Sequence, residues 1–271
     1  SGSVITAAFF MAGLGAYYLL ARQHIEYGRL FVTLGVIVGL IASVFQVYPS
    51  GDAEGLQVTK YQPIKLAAME GLFHTEHPAG IVIIGQPDPA TGTLDNAIII
   101  PNTLSFLTYH RWSATVKGLD AFPTGQWPDN VILLYYSYHI MVGLGTFFVA
   151  IMALALLSLW RRRLFEMRWM LWILLIAAPF PFIANTAGWF TTELGRQPWI
   201  VYGLLPTVQG SSANVSAGNV QFTLIGFAGM YLLLGLLYVV LVVFEATRGP
   251  KPPAVEESSP EAAQGFSQEA S

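Results

Sequence analysis

Apolar residues fall into five long runs along the chain, and polar segments separate these runs. A helix that crosses a bilayer needs about 20 mostly apolar residues, and each run is close to this length or above it. The runs cover approximately residues 4–21, 30–47, 131–159, 169–190 and 220–244. The fourth run contains Pro179 and Pro181, whose missing N–H groups predict a kink. The pattern predicts an all-α integral membrane protein, a bundle of about five transmembrane helices with one long extracytoplasmic loop.

Arginine and lysine residues predict the orientation of these helices, because basic residues are enriched in the cytoplasmic connections of membrane proteins. They concentrate beside three segments: the first connection, the third connection and the end of the fifth run. These residues are Arg22, Arg29, Arg161, Arg162, Arg163, Arg168, Arg248 and Lys251. We therefore expect these three segments on the cytoplasmic side and the N-terminus on the outer side.

This orientation divides the chain into four predicted regions. Residues 1–48 contain two transmembrane helices, and residues 49–130 form the long loop outside the membrane. Residues 131–247 contain three more transmembrane helices. Residues 248–271 are rich in Pro, Glu, Ser and Ala, and this composition predicts a disordered cytoplasmic tail.

Composition excludes several classes of protein. Charged residues make up 11% of the chain and hydrophobic residues 54%, whereas soluble domains carry roughly 25% charged residues. The net charge of −3 gives no reason to expect a nucleic-acid partner. The chain has no cysteine, which excludes disulfides, thiolate-bound zinc, iron–sulfur ligation and the attachment of c-type haem.

His139 lies inside the third apolar run, where an ionisable residue is costly and therefore points to a function. Met141 follows two positions later, and both residue types ligate haem iron. Side chains two positions apart point roughly 200° apart around a helix, so the pair cannot bind one iron. The alternative is a histidine that is hydrogen-bonded to a neighbouring helix and a methionine that fills space. The residues alone leave both interpretations open.

Two further groups of charged residues allow two interpretations each. Glu193, one helical turn after Trp189, is either a functional carboxylate or the helix-end ion-pair partner of Arg196, and the ion pair is the simpler interpretation. In the long loop, Lys65 and Glu70 flank a Leu-Ala-Ala-Met core that favours a short helix. This helix is either solvated or forms a site for a polar head group next to the membrane, with Glu70 as proton acceptor.

Three strings in the chain resemble subunit I of the cytochrome bd-type quinol oxidases. They are Lys65-Leu-Ala-Ala-Met-Glu70, Met141-Val-Gly and Gly188-Trp-Phe-Thr-Thr-Glu193-Leu-Gly-Arg196-Gln-Pro-Trp199. The resemblance extends from residue 1 to about residue 244 and matches the fifth to ninth helices of the family's subunit. It makes residues 49–130 the quinol-binding loop. The other haem ligands are then expected on an N-terminal half, either as a preceding segment or as a separate chain.

The resemblance also implies roles for residues near the haems. Met141 matches the methionine ligand of the low-spin haem b, and Glu193 matches a carboxylate ligand in the high-spin pair, in which the high-spin haem b is favoured over haem d. Trp189 matches an aromatic residue beside these haems, and Arg196 a basic residue that neutralises propionate or ligand charge. His139 stands where some relatives have arginine, which implies a place beside the low-spin haem without axial ligation.

Lys65 and Glu70 match residues implicated in quinol binding and oxidation. The implied function is a quinol:oxygen oxidoreductase that oxidises quinol at the outer loop and passes electrons through haems to oxygen. It would generate proton motive force without pumping. The implied cofactors are a low-spin haem b, a high-spin haem b and a haem d, or a haem b in its place.

The implied location is a prokaryotic inner membrane. The expected partners are the N-terminal half of subunit I, subunit II, small single-helix subunits, membrane lipid and quinol. One alternative function is a haem-binding electron-transfer or quinone-docking module that does not itself reduce oxygen. Another alternative is a transporter, which only the break at Pro179 and Pro181 favours.

Overall fold

The computed structural model describes residues 2–212 and 214–248. In these residues, five helices are long and apolar enough to cross a membrane, and each contains a predicted run; the second extends to residue 61, into the segment predicted as the long loop. These helices are Gly2–Ala21, Ile25–Tyr61, Val131–Trp160, Arg168–Arg196 and Ala217–Glu245. The helical membrane fold is thereby confirmed. The tail predicted at 248–271 lies outside the described residues except for Arg248, which ends the last helix.

The chain forms two compact units, the first ending at residue 211 and the second beginning at residue 212. The first unit begins with α1 (Gly2–Ala21), α2 (Ile25–Phe45), a π-helical turn (Gln46–Gly51), α3 (Asp52–Tyr61), α4 (Pro63–Glu70), β1 (Ile81–Asp88), β2 (Thr93–Ile100) and α5 (Thr103–Tyr109). It continues with α6 (Val131–Trp160), α7 (Arg168–Ala177), α8 (Phe180–Arg196), β3 (Trp199–Val201) and β4 (Leu205–Pro206). The second unit contains α9 (Ala217–Arg248).

The predicted kink in the fourth run is a break between two helices. α7 ends at Ala177 and α8 begins at Phe180, with Pro179 and Pro181 at the junction. Proline cannot donate a backbone hydrogen bond and its ring clashes with the preceding turn, so the α-helical ladder is interrupted there. The junction residues Ala178 and Pro179 keep right-handed helical dihedral angles, and residues 168–196 together form one candidate membrane span.

The apolar core of the first unit forms where α1, α2, α6 and α7 pack together. Its fully buried side chains include Phe9, Val32, Phe148, Met152 and Leu174. α1 and α2 approach so closely that a Cβ atom on the α2 residue Gly35 would lie 2.7 Å from the backbone nitrogen of Ala12 and the backbone oxygen of Ala8. Glycine is therefore required at this crossing because the neighbouring atoms belong to the backbone and cannot rotate away.

The basic ends of the helices lie together. The Arg29 guanidinium, at the start of α2, is positioned 5.6 Å from the centre of the Phe165 ring, which lies between α6 and α7. The first and third connections therefore meet at one end of the helices. The long loop leaves α2 and enters α6 at the other end.

The long loop is folded around a core of its own. Pro63 stands in the first turn of α4, and Gly71 ends the helix in the left-handed conformation with φ of 67°. The side chain of Asn130 caps α6, since its Oδ1 accepts a hydrogen bond from the Leu133 backbone nitrogen at 2.9 Å. Buried residues of α4, α5, a 3₁₀ turn (Leu119–Ala121) and the start of α6 pack together, among them Ile64, Ala67, Leu104, Leu119, Val131 and Leu134.

A two-stranded antiparallel sheet in the long loop was not part of the all-helical expectation. β1 pairs with β2, with Ile81 opposite Ile100 and Asp88 opposite Thr93. The isoleucine-rich ends of these strands favour extended structure, because β-branched side chains pack well on a pleated surface. The chain remains mostly helical, and this hairpin supplies one wall beside α6.

Gly35→Leu is expected to weaken the packing of α1 on α2, because the added side chain meets backbone atoms of α1. Overpacking of this kind costs about 1–3 kcal/mol, so the melting temperature of the assembled, detergent-solubilised complex should fall. The control is Ile41→Leu, at an exposed position of the same helix. Equal melting temperatures for the Gly35 variant and the unsubstituted protein would show that the close crossing does not contribute to stability.

Candidate functional site

The predicted short helix in the loop is present as α4, but it is not solvated. Every residue from Ile64 to Glu70 is buried, including Lys65 at 8% exposure and Glu70 at 2% exposure. The interpretation of this segment as a solvated surface helix is therefore wrong. Burying two ionisable side chains is costly unless other groups compensate, so their surroundings identify what the helix does.

Glu70 lies between α4 and α6. The Tyr138 hydroxyl of α6 donates a hydrogen bond of 2.7 Å to Oε1 of Glu70. The other carboxylate oxygen, Oε2, is buried and has no hydrogen-bond partner among the described residues. Burial raises the pKa of Glu70 to about 7, and the hydrogen bond from Tyr138 opposes this rise. A carboxyl group with a pKa near neutrality can both accept and release a proton at physiological pH.

Lys65 lies against the C-terminal end of α8. A Cβ atom on Gly195 would lie 2.7 Å from Cγ, Cδ and Cε of Lys65, so the lysine stem rests directly on the glycine. Burial lowers the pKa of Lys65; Glu54 raises it, Arg196 lowers it and Glu193 raises it. Lys65 is therefore within electrostatic reach of the two charged residues of α8 that the sequence singled out.

Glu193 and Arg196 form the predicted ion pair on consecutive turns of α8, with both side chains partly exposed. Trp189, one turn before Glu193, is 60% exposed and its ring lies 5.2 Å from that of Phe190. The structure thus brings Glu193 and Arg196 to Lys65. It leaves Trp189 on an open surface of the helix.

Met141 lines a separate cleft of about 290 Å³ between α1, α2, α6 and α8. A Cβ atom on Gly188 would lie 3.0 Å from the sulfur of Met141, whereas a Cβ atom on Gly145, one turn after Met141, would meet nothing within 4 Å. The cleft also contains the buried hydroxyl of Ser43, which has no partner in the described part of the chain. Its other lining residues are Gly2, Ile5, Gln46, Val47, Glu54, Phe148, Pro181, Ala184, Asn185 and Thr192.

These surroundings fit a haem. A thioether sulfur is a known axial ligand of haem iron, and Gly145, one turn after Met141, leaves open space on the same helix. The unpartnered hydroxyl of Ser43 can pair with a polar group of the bound cofactor, because buried polar atoms are normally hydrogen-bonded. The thioether and the mixed apolar and polar lining of the cleft are therefore compatible with the role that the resemblance implies for Met141.

Each ring nitrogen of His139 faces a backbone carbonyl oxygen, and a neutral imidazole can donate a hydrogen bond to one of the two. Nδ1 lies 2.9 Å from the carbonyl oxygen of Tyr135, and Nε2 lies 3.1 Å from the carbonyl oxygen of Val82 in β1. A nitrogen that faces a carbonyl oxygen in this way has no lone pair directed at a metal ion. The hydrogen-bonded interpretation of His139 is the one that the geometry favours, although its outer partner is a strand and not a helix. The contact between His139 and Val82 joins β1 to α6, two residues before Met141.

Four residues of the site went unnoticed in the sequence. Tyr138 and Ser43 are ordinary members of apolar runs. Tyr138 matters through its hydrogen bond to Glu70, and Ser43 through its place in the Met141 cleft. Glu54 lines the Met141 cleft and also interacts with Lys65, which places the cleft beside the α4 site. Gly195 belongs to the Glu193–Trp199 string, and its position in a helix was the available signal that a close contact requires it.

The fold and the site define a polytopic membrane protein in which a loop helix with a buried Lys and Glu adjoins a methionine-lined cleft. The family model of cytochrome bd terminal oxidase subunit I matches residues 1–250, and the chain belongs to this family. This agrees with the resemblance drawn from the three sequence strings.

Individual relatives show the same similarity. Cytochrome bd ubiquinol oxidase subunit 1 of Bacillus subtilis (strain 168) is 37% identical over 260 residues, which cover 92% of this chain and 55% of that protein. Cytochrome bd-II ubiquinol oxidase subunit 1 of Escherichia coli (strain K12) is 28% identical over 326 residues, which cover 96% of this chain and 63% of that protein. The structure of bd oxidase from Geobacillus thermodenitrificans matches with a TM-score of 0.79 at 30% identity, covering 92% of this chain and 56% of that one. The chain thus spans a little over half the length of these relatives.

Gly195→Ala is expected to displace Lys65, because the new methyl group overlaps three carbons of the lysine stem. We expect the melting temperature of the detergent-solubilised protein to fall, because overpacking of this kind costs about 1–3 kcal/mol. Gly125→Ala is a suitable control, since a Cβ atom there meets nothing within 4 Å.

A double-mutant cycle tests whether the effect passes through Lys65. In a Lys65→Ala background, Gly195→Ala should cause no further fall in melting temperature, because contacting residues are not additive. An equal fall in both backgrounds would contradict the assigned contact.

Proposed function

We propose that this chain is part of a membrane-bound quinol:oxygen oxidoreductase, a cytochrome bd-type terminal oxidase. One observation carries the proposal: the buried helix with Lys65 and Glu70 packs between α6, which bears Met141, and α8, which bears Glu193. Lys65 is within electrostatic reach of Glu193, one candidate haem ligand, and Glu70 is hydrogen-bonded to Tyr138, three residues before Met141, the other candidate. The family to which the chain belongs supports the same function.

Quinol oxidation releases two electrons and two protons, and the α4 site is suited to the protons. Lys65 would bind a ring oxygen of the quinol, because its ammonium group donates hydrogen bonds. Glu70 would accept a proton through Oε2, the oxygen without a partner among the described residues. The apolar packing around α4 excludes water, which strengthens both interactions.

The resemblance assigns the haem-binding residues of this chain. Met141 would ligate the low-spin haem b, and Glu193 a high-spin haem; Trp189, Arg196 and His139 would lie beside them without ligating iron. Haem supplies the one-electron redox chemistry and the site of oxygen reduction. We propose a low-spin haem b, a high-spin haem b and a third haem that is either d or b.

The orientation follows from the basic end of the helices. Arg29 lies beside Phe165, so the arginine-rich first and third connections share one end, which would face the cytoplasm. Residues 49–130 would then be the quinol-binding loop on the outer side of a prokaryotic inner membrane. Protons released outside and protons consumed from the cytoplasm would generate proton motive force without a pump.

The proposed complex contains other chains or segments. The N-terminal half of subunit I would supply the remaining haem ligands, and subunit II and small single-helix subunits would complete the assembly. Residues 1–48 and 131–247 would be its membrane-spanning parts, 248–271 a cytoplasmic tail, and lipid and quinol the small-molecule partners.

Met141→Leu tests the haem assignment. Removing the thioether should shift or abolish the α-band of the low-spin haem in a dithionite-reduced minus oxidised spectrum of the purified complex. Met152→Leu, a buried methionine of the same helix that packs in the apolar core, is the matched control and should leave the band in place. An unchanged band in Met141→Leu would remove this residue from the ligand set. A complex with haem but without oxygen uptake would indicate an electron-transfer or quinone-docking module instead.

Glu70→Gln tests the proton-accepting role. In the unsubstituted enzyme the rate of quinol oxidation should rise with pH through about 7, because only the ionised carboxylate accepts a proton. Glu70→Gln should lower the rate by about 100-fold or more and remove this pH dependence. The haem spectrum should stay unchanged, as it should for Lys65→Ala, which we expect to raise the KM for quinol.

The control for this experiment is Asp95→Asn, an exposed carboxylate on the loop hairpin. Normal quinol kinetics in both Glu70→Gln and Lys65→Ala would refute the assignment of the quinol site to α4.

A further inference from the structure

Tyr138 connects two parts of the proposed oxidase. It lies on α6 three residues before Met141, and its hydroxyl reaches Oε1 of Glu70 on the loop helix at 2.7 Å. Because a carboxylate cannot donate, Tyr138 is the donor whenever Glu70 is ionised. The hydrogen bond is therefore formed in the state in which Glu70 acts as a base.

The two oxygens of Glu70 have different surroundings. Oε1 receives the tyrosine hydroxyl, whereas Oε2 is buried without a partner in the described part of the chain. Because the carboxylate is planar and rigid, holding Oε1 also fixes the direction of the lone pairs on Oε2. A buried oxygen with free lone pairs is an unsatisfied acceptor, and it is available for a hydroxyl group of the substrate.

We propose that Tyr138 is a positioning residue for quinol oxidation: its hydroxyl holds one oxygen of Glu70 and directs the other toward the hydroxyl proton of the quinol. This inference rests on the proposed function and adds a residue to it. In the step itself, one quinol O–H bond breaks and an O–H bond forms on Oε2; the one electron that accompanies this proton would be accepted by an oxidised haem of the complex. Tyr138 keeps its own proton throughout.

The aromatic side chains of α6 near Glu70 are closely packed against neighbouring residues. The Tyr135 ring lies close to Gly71 and Gly85: a Cβ atom on Gly71 would lie 2.9 Å from ring carbon Cε2, and one on Gly85 would lie 3.0 Å from the hydroxyl oxygen. Tyr135 also packs on His139, with ring centres 4.0 Å apart, and His139 is itself held by the carbonyl oxygen of Val82. The surroundings of Tyr138 on α6 are therefore fixed from two directions.

The ionisable groups near α4 differ in the residue with which they interact. Tyr138 and Tyr135 are the groups on α6 that interact with Glu70. Glu54 of α3 and the Glu193–Arg196 pair of α8 interact with Lys65. Asp120, in the 3₁₀ turn next to α4, is held by the backbone nitrogen and hydroxyl of Thr75 and interacts with His74. The hydroxyl of Tyr138 is thus the group whose removal takes away the hydrogen bond to the Glu70 carboxylate.

The sign of the effect follows from the charge of the acceptor. A hydrogen bond donated to a carboxylate favours the ionised form, so it lowers the pKa of Glu70 against the effect of burial. Without the hydroxyl, the pKa of Glu70 rises, and a higher pH is needed to generate the base. Oε1 would also be left without its donor, and the carboxylate would be free to rotate.

Tyr138→Phe in the assembled oxidase tests the inference. We expect the acidic limb of the kcat/KM profile for a soluble quinol, measured by oxygen uptake, to move upward by about one pH unit. Activity should recover at alkaline pH, and the reduced haem spectrum should match that of the unsubstituted enzyme. Tyr136→Phe, which removes an exposed hydroxyl from the same helical turn, should leave the profile in place.

Infrared spectroscopy provides a readout that does not need turnover. The C=O stretching band of protonated Glu70, identified by its loss in Glu70→Gln, should titrate at a higher pH in Tyr138→Phe. A second variant, with 3-fluorotyrosine incorporated at position 138, keeps the shape of the residue and makes the hydroxyl a stronger donor. Its acidic limb should move to lower pH, so the two variants shift the profile in opposite directions.

The outcomes separate this inference from the proposed function. An inactive Glu70→Gln enzyme together with unchanged pH profiles for both Tyr138 variants would overturn the role of Tyr138 and leave the quinol site standing. A fully active Glu70→Gln enzyme would overturn the proposed function and the inference together. If Tyr138→Phe does not assemble, the 3-fluorotyrosine enzyme decides alone: a shift to lower pH supports the role, and an unshifted profile refutes it.

Discussion

The burial of Lys65 and Glu70 on one short helix is the constraint on which the rest of the site depends. An ionisable side chain that loses its water must find compensating groups or change its protonation state. Lys65 interacts with Glu54 and Glu193, which oppose the effect of burial on its pKa. Glu70 finds the hydroxyl of Tyr138, and its pKa still settles near 7. The loop helix can be buried in this way only because α6 and α8 bring these groups to it.

Glycine at helix contacts makes this burial geometrically feasible. Gly195 gives the stem of Lys65 a flat surface on α8. Gly188, on the same helix, gives one to the sulfur of Met141, which belongs to α6. Both glycines lie on α8, which begins after the break that follows Ala177. One helix therefore contacts both the proposed quinol site and the proposed haem cleft. Close packing of this kind transmits small displacements, because protein interiors are as dense as organic crystals.

Much of the candidate site could be predicted from the sequence because its residues stand in short, specific strings. Lys65 and Glu70 flank one string, and Glu193 and Arg196 lie in another, so each pair could be recognised from local order. The burial of α4 could not be predicted, since Leu-Ala-Ala-Met is compatible with both a solvated and a covered helix. The contact of Tyr138 with Glu70 joins residues 68 positions apart, and no local pattern reports such a distance. The β1–β2 hairpin was missed for a similar reason, because pairing between strands depends on partners elsewhere in the chain.

The sequence by itself determined the class of the protein. The bilayer acts on each segment independently, so the length of the apolar runs and the distribution of arginine could be interpreted without knowing the packing. The effect of Pro179 and Pro181 on their helix is likewise local. Tertiary structure decided which charged side chains lose water, which hydroxyl reaches the Glu70 carboxylate, and that the ring nitrogens of His139 face carbonyl oxygens. These properties depend on distances between segments that are remote in the chain. Only the packing of α4 and β1 against α6 and α8 sets those distances.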